Sequence, residues 1–529
     1  MDEFIISEPR HNHVEAVEQI SGEHQSLSSV ITTVRTQLSA FDSQQEQIGK
    51  TIPPGPQRIR GIAGSGKTVL LCQKAAHMHL LHPDWDIALV FFTRSLYDLM
   101  IRQVNLWLGH FSNGEVKYDP QNSKLRVFHA WGARDKTGLY RTICQAHGVK
   151  PFSLDDSSNY KPPELLADVV RRLLETTEIN PMFDAILIDE GQDLVVRDEL
   201  KFQGKQPIYW MAWQALRPVD SSRPDVRRLI WAYDEAQSLH SLKIPTASEL
   251  FGSQFSKLVI GQYPGGIPKS VVMKRCYRTP GPILTVAHAI GMGLLRPEGM
   301  LSGFTRQRDW QAIGYQVLQG SFSSPGQTIT LYRPPENSPN PVPQIGEQPV
   351  LEFETYSNRI DELTALAADI RHNLEVDGLN KSRDILVVVL GSNADEALSL
   401  ETEVAAFLME HGIDIYVPTA KTINVLERNN SQRNHFWHDD GITVSLIHRV
   451  KGNEADMVYV VGFDNIAKEE SSCQLRNQVF VALTRSRGWV KLSGIDRYPM
   501  YEEMRRAIES GDTFTFTYQR PSRWDISAD

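Results

Sequence analysis

Apolar residues along this chain gather into short unbroken runs more often than they alternate with polar ones. Five such runs, 57–62, 87–92 (IALVFF), 125–128, 184–189 (DAILID) and 228–233 (RLIWAY), occupy the first half. Runs without clean alternation are expected of parallel strands covered on both faces. Stretches of helical character, such as 68–80, separate them. After about residue 270 the βα rhythm restarts, at 328–333, 350–356, 384–390 (DILVVVL), 442–447 (ITVSLI), 457–463 and 488–493. The pattern predicts an α/β chain with two parallel-sheet domains, 41–270 and 271–510. A polar extension, 1–40, precedes them with a helix expected over 24–40, and a tail, 511–529, follows. Residues 133–180 are less apolar and read as a small inserted subdomain. A Pro-rich run over 334–349 reads as a mobile excursion, and 421–441 as a polar interruption.

Composition changes this picture little. With 529 residues, 41% hydrophobic and 22% charged, the chain is long enough for several folded domains. A net charge of -9 excludes a wholesale basic polyanion binder but leaves room for a local basic track. The four cysteines, at 72, 144, 276 and 473, are spaced for neither a disulfide framework nor a zinc knuckle. The opening MDEFIISEPRHNH lacks the basic and apolar regions of a secretory leader, and no apolar run approaches membrane length. The expectation is a cytoplasmic protein with no membrane partner.

The candidate chemistry begins at Gly61-x-x-Gly64-x-Gly66-Lys67-Thr68, a complete phosphate-loop pattern set between a strand and a helix. Its glycines let successive N–H groups converge on phosphate oxygens. Lys67 can neutralise the β and γ phosphates, and the Thr68 hydroxyl can hold Mg²⁺. Asp189 and Glu190 end the strand DAILID. The first suits a metal ligand and the second can deprotonate attacking water. That pair points to hydrolysis of ATP rather than transfer to a small acceptor, which disfavours a nucleotide kinase. By themselves the two acids define no nuclease centre.

Asp189-Glu190-Gly191-Gln192-Asp193 resembles the second motif of superfamily 1 helicases of the UvrD/Rep/PcrA-like branch, and further motifs follow in order. Asp234-Glu235-Ala236-Gln237-Ser238 is similar to the third, Tyr277-Arg278-Thr279 to the fourth, IHRVKGNEADMVYVVG (447–462) to the fifth and FVALTRSRGWVKLSG (480–494) to the sixth. Gln45 matches the glutamine motif, while FFTRS (91–95) and VFHAWG (127–132) match the Ia and Ib motifs. The wording is nearest a bacterial group sometimes fused to a nuclease-related domain, which is not evident here. The resemblance implies two RecA-like phosphate-loop NTPase domains with ATP and Mg²⁺ between them. It implies that Gln45 reads the adenine edge, Tyr277 stacks on the base and Glu454 takes the ribose hydroxyl. Gln237 would sense the γ phosphate, and Arg278 and Arg485 would be arginine fingers.

The same resemblance implies a nucleic-acid track: Phe92 stacking on a base, Thr93, Arg94 and His129 near the backbone, and His448 and Arg449 beside the cleft or strand. Since Phe91 and Phe92 end one buried strand, one belongs in the core and the other outside it. The expected ligand is single-stranded DNA, with RNA as the alternative. The chain departs from the family at Tyr233 for glycine, Cys276 for asparagine, and His240 and Leu242 for a stacking tyrosine and tryptophan. Each lost stacking face removes about 1–3 kcal/mol per base. The function expected is ATP hydrolysis coupled to movement on, unwinding of or remodelling of nucleic acid. The alternative is an ATP-dependent regulatory or scaffold subunit of a multiprotein bacterial (antiviral) defence system, with a nuclease or other protein as partner.

Overall fold

The computed structural model describes residues 26–40, 48–93, 96–121, 124–132, 137–152, 162–234, 245–346, 348–418 and 436–520. Gln45, Arg94 and Gln237 lie outside these, as do His240 and Leu242.

The fold is mixed α/β, built on two six-stranded parallel sheets. The first contains β1 (Gln57–Gly61), β2 (Ile87–Phe91), β3 (Leu125–His129) and β4 (Ala185–Ile188). A small antiparallel hairpin, β5 (Pro218–Asp220) with β6 (Arg223–Arg227), leads into β7 (Leu229–Asp234), and β8 (Ser270–Met273) completes the sheet. Its order is β3-β2-β4-β7-β1-β8. Every residue of β2, β4 and β7 is buried, as the unbroken apolar runs require. The edge strand β8 was not among the predicted runs; only Val271 and Met273 of its four residues are buried.

One face of this sheet packs on the helices Lys67–Leu81 and Tyr97–Phe111, the other on Leu139–Ala146, Pro162–Thr176 and Pro207–Gln214. The helices of the region read as an insertion therefore contribute to the same core as the strands: Tyr140, Ile143, Leu166 and Val170 are buried with Ile186 and Trp231.

The second half opens with an antiparallel layer, β9 (Gln316–Gln319) and β10 (Thr328–Tyr332), the latter in the run 328–333 that was expected to restart the βα rhythm. Instead β10 pairs antiparallel with β9 and with the C-terminal strand β17 (Thr513–Thr517). β10 alternates buried and less buried positions along its length, the signature of a half-covered antiparallel strand. The second parallel sheet comprises β11 (Leu351–Tyr356), β12 (Ile385–Val389), β13 (Ile415–Tyr416), β14 (Ile442–Leu446), β15 (Ala455–Val461) and β16 (Ser486–Ile495), in the order β11-β16-β15-β12-β14-β13. Among the described residues no helix is long and apolar enough to cross a membrane.

The helix Leu27–Ala40 falls within the predicted 24–40, yet it does not join the first sheet. Its apolar face, Leu27, Val30, Ile31 and Val34, is buried in the core of the second lobe. The Pro-rich run is also packed: Asn337 is 5% exposed and Asn340 1%.

Candidate nucleotide cleft between the lobes

Parallel register brings the chemistry to one edge of the first sheet. Gly61 at the end of β1 lies level with Asp234 at the end of β7, and Asp189 follows β4 directly. A crevice beyond the carboxyl ends of such strands is where open α/β sheets bind ligands. The second lobe meets it with the opposite edge of its own sheet: Glu454 precedes β15, Arg485 precedes β16, and Ala455 pairs with Ser486.

The glycine-rich turn is built as its sequence requires. Gly64 has φ 71°, and Gly66, with φ 85°, caps the helix Lys67–Leu81 from the left-handed region. Gly64 is also a point of close approach to the segment that carries Tyr277 and Arg278. A Cβ there would stand 2.8 Å from both Cys276 Sγ and Arg278 Cβ, and its carbonyl accepts from the Tyr277 and Arg278 amides at 3.0 and 3.3 Å. Tyr277 and Arg278 are thus hung on the phosphate loop through backbone bonds.

Lys67 is folded onto its own loop. It donates to the Gly61 and Ile62 carbonyls at 3.1 and 2.9 Å and to Asp234 Oδ2 at 3.0 Å. Thr68 Oγ1 donates to Asp189 Oδ2 at 2.7 Å, while Asp189 Oδ1 is buried with no partner among the described residues. Burial, then the Glu190 charge, raises the Asp189 carboxyl to about 7. A fully buried carboxylate with one orphaned oxygen beside a threonine hydroxyl is a donor set that fits Mg²⁺.

Glu190 follows with φ 50°, a left-handed conformation uncommon outside glycine. Burial pushes its carboxyl upward, but the charges of Lys451, Lys67 and Arg485 outweigh it and hold the group below the usual range. Lys451, absent from the sequence-based candidates, arrives from the second lobe. It lies 2.6 Å from Asp193 and 3.5 Å from Glu190 and is 4% exposed. Gln192 donates to Glu190 and accepts from the Asp234 amide. At the same seam Gly452, with φ 85°, lies so close to Leu96 that any Cβ would collide with it.

The two arginines face this cluster. Arg278 Nη1 lies 3.3 Å from Glu454 Oε2, and its Nε and Nη2 are buried without a partner among the described residues. Arg485 is 1% exposed and donates to the Val481 carbonyl at 3.0 Å. Burial and the neighbouring Arg278 charge lower it to about 9. Lys67, Thr68, Glu190, Tyr277, Arg278, Glu454 and Arg485 line one cleft of about 380 Å³. A second missed residue, Asn340, braces the arginine wall by donating to the Arg278 carbonyl at 2.5 Å and the Arg487 carbonyl at 2.9 Å.

The expected track residues lie apart from that cleft. Phe91 is buried, whereas Phe92 is half-buried with its ring stacked on His129 at 5.6 Å. Thr93 is half-buried beside them. His129 Nδ1 accepts from the Trp131 and Gly132 amides, both at 3.2 Å. His448 is exposed, but Arg449 is turned into its own lobe, 3.3 Å from Glu401.

Residues 441–493 match the family of UvrD-like helicase C-terminal domains. The match runs from β14 to most of β16 and so covers Glu454, Arg485 and Arg487, which line the second-lobe wall of the cleft. Among solved structures, the C-terminal domain of a possible DNA helicase from Lactobacillus plantarum WCFS1 aligns at 14% identity. The alignment covers 30% of this chain and 83% of that one with a TM-score of 0.22, too loose to bear on the fold. No curated protein matches the chain.

Proposed function

We propose that the protein is a UvrD-like superfamily 1 helicase ATPase. In this reading it hydrolyses ATP between two RecA-like lobes and couples the cycle to movement on, or remodelling of, single-stranded nucleic acid. The observation that carries it is a set of orphaned buried groups at one cleft: two donors on Arg278, which lines it, and an acceptor on Asp189, which lies behind the lining residue Thr68. A metal–triphosphate ligand satisfies both sets at once. The family match over 441–493 supports the same reading.

In this reading Lys67 leaves its loop carbonyls to meet phosphate oxygens, and the glycine-rich turn supplies amide donors. Thr68 and Asp189 hold Mg²⁺, which neutralises phosphate charge. Glu190, kept ionised by its cationic neighbours, takes the proton of attacking water. Arg278 and Arg485 meet charge developing on the γ phosphate. Because those groups sit on different lobes, phosphate loss removes part of what holds the lobes together, giving a route from hydrolysis to motion. Phe92, half-buried and stacked on His129, and Thr93 form the start of the strand track.

The test is steady-state ATP turnover with and without short single strands of DNA and RNA, for wild type, Lys67→Ala and Arg485→Ala. Turnover raised by a strand and lost by about 10²-fold or more in both variants is expected. Turnover indifferent to any strand would refute the coupling to nucleic acid.

A further inference from the structure

We propose that Arg35, on the helix ahead of all the motor motifs, is a positioning residue for the arginine wall of the nucleotide cleft. The inference rests on the ATPase reading above and deepens it. The helix Leu27–Ala40 is fixed to the second lobe by its four buried apolar residues and by the Ser28 amide, which donates to the Asp377 carbonyl at 3.1 Å. From that anchored helix Arg35 reaches Asp456 at 2.8 Å and Asp384 at 3.2 Å.

Asp456 is the first step of a ladder of alternating charge. Arg487 donates to both Asp456 oxygens, to Oδ2 at 2.6 Å, which it shares with Arg35, and to Oδ1 at 3.1 Å, and the Asp456 side chain is only 6% exposed. Arg487 also lies 3.8 Å from Glu454, which in turn is 3.3 Å from Arg278. The sequence of charges is Arg35, Asp456, Arg487, Glu454, Arg278, and all but Asp456 line the same cleft as Lys67 and Glu190. Each inner member is shared between two partners of opposite sign, so the strength of one contact sets the next.

Removal of the Arg35 guanidinium leaves the buried Asp456 charge to Arg487 alone. Arg487 then bonds Asp456 more tightly and loosens from Glu454. Glu454, released on that side, closes onto Arg278 and competes with the incoming nucleotide for it. The consequence falls on nucleotide binding rather than on the chemical step. Nothing in the glutamine motif or the phosphate loop signals this role, because the helix lies before both in the chain.

The experiment compares KM and kcat for ATP in wild type, Arg35→Ala, Arg35→Lys, Glu454→Gln and the double variant Arg35→Ala/Glu454→Gln. Arg35→Ala should raise KM about two- to fivefold with kcat within a factor of about two, the size a partly exposed ion pair supports. Arg35→Lys should restore most of the loss. In the Glu454→Gln background Arg35→Ala should add nothing further, since its effect passes through that carboxylate. An unchanged KM in Arg35→Ala, or an effect that adds in full to Glu454→Gln, overturns the inference while leaving hydrolysis intact. Should the wild type not turn over ATP, the ATPase reading fails separately, and dissociation constants for a fluorescent ATP analogue carry the same comparison. Arg35 has a side chain 58% exposed, so its replacement leaves the fold in place, which a thermal melt verifies.

Discussion

Lys451, from the second lobe, is ion-paired with the general-base candidate of the first. It is the nearest cation to both Glu190 and Asp193, and its own burial makes it costly to leave unpaired. Lys451→Met should destabilise the protein by about 3 kcal/mol, because Glu190 and Asp193 lose their nearest counter-charge at a largely buried seam. A lowered urea midpoint together with reduced turnover checks this; an unchanged midpoint would contradict it. His288 offers a pH test well away from the cleft. It is fully buried, its Nδ1 lies 3.0 Å from the Tyr315 hydroxyl, and burial, then the Arg333 charge, lowers it to about 3. Between pH 6.5 and about 3 the unfolded chain binds a proton that the native histidine refuses, so this group makes stability fall as pH falls. The contribution is about 1.4 kcal/mol per pH unit. His288→Phe should lose that slope, so the stability gap between wild type and variant should narrow from pH 7 to about pH 5, measured by chemical unfolding. At this scale the phosphate loop and the Asp189-Glu190 pair were legible because their spacing is local. Asp234 and Lys451 stood in quoted motif runs but were not singled out as site residues, because their partners lie at remote positions in the chain.

Elements were read well where burial is two-sided and poorly where it is not. β2, β12 and β15 are buried at every position, and their unbroken apolar runs say so. β10 and β17 carry one-sided patterns that periodicity alone cannot assign to a sheet, and so the antiparallel layer was missed. The Pro-rich run misled for a related reason. Proline composition marks where helices and central strands stop, and it says nothing about side chains that turn inward. Asn340 does turn inward, and it joins the Arg278 and Arg487 carbonyls, segments far apart in sequence. Asn340→Ala should loosen both arginine-bearing segments at once, costing about 1–3 kcal/mol for the unpaired carbonyls and lowering turnover about tenfold. Turnover at the wild-type level, with the melt also unchanged, would show that the loop braces nothing. The helix Leu27–Ala40 was expected as a helix, but an amphipathic face does not name the lobe that covers it.

Across the whole molecule the cleft is a meeting of opposite charges from two lobes. Asp189, Glu190, Asp193 and Asp234 stand on one side, and Lys451, Arg278 and Arg485 come from the other. With Lys67 among the acids, the described charges nearly cancel, so a nucleotide must replace internal pairs rather than fill a vacant positive pocket. The central claim is that the second lobe supplies charge to a reaction held by the first. Its most direct test is nucleotide affinity measured beside turnover in Arg485→Ala, with a strand present. The account predicts affinity for a non-hydrolysable ATP analogue within about tenfold of wild type while kcat falls by about 10²-fold or more. Near-normal kcat in that variant would contradict it.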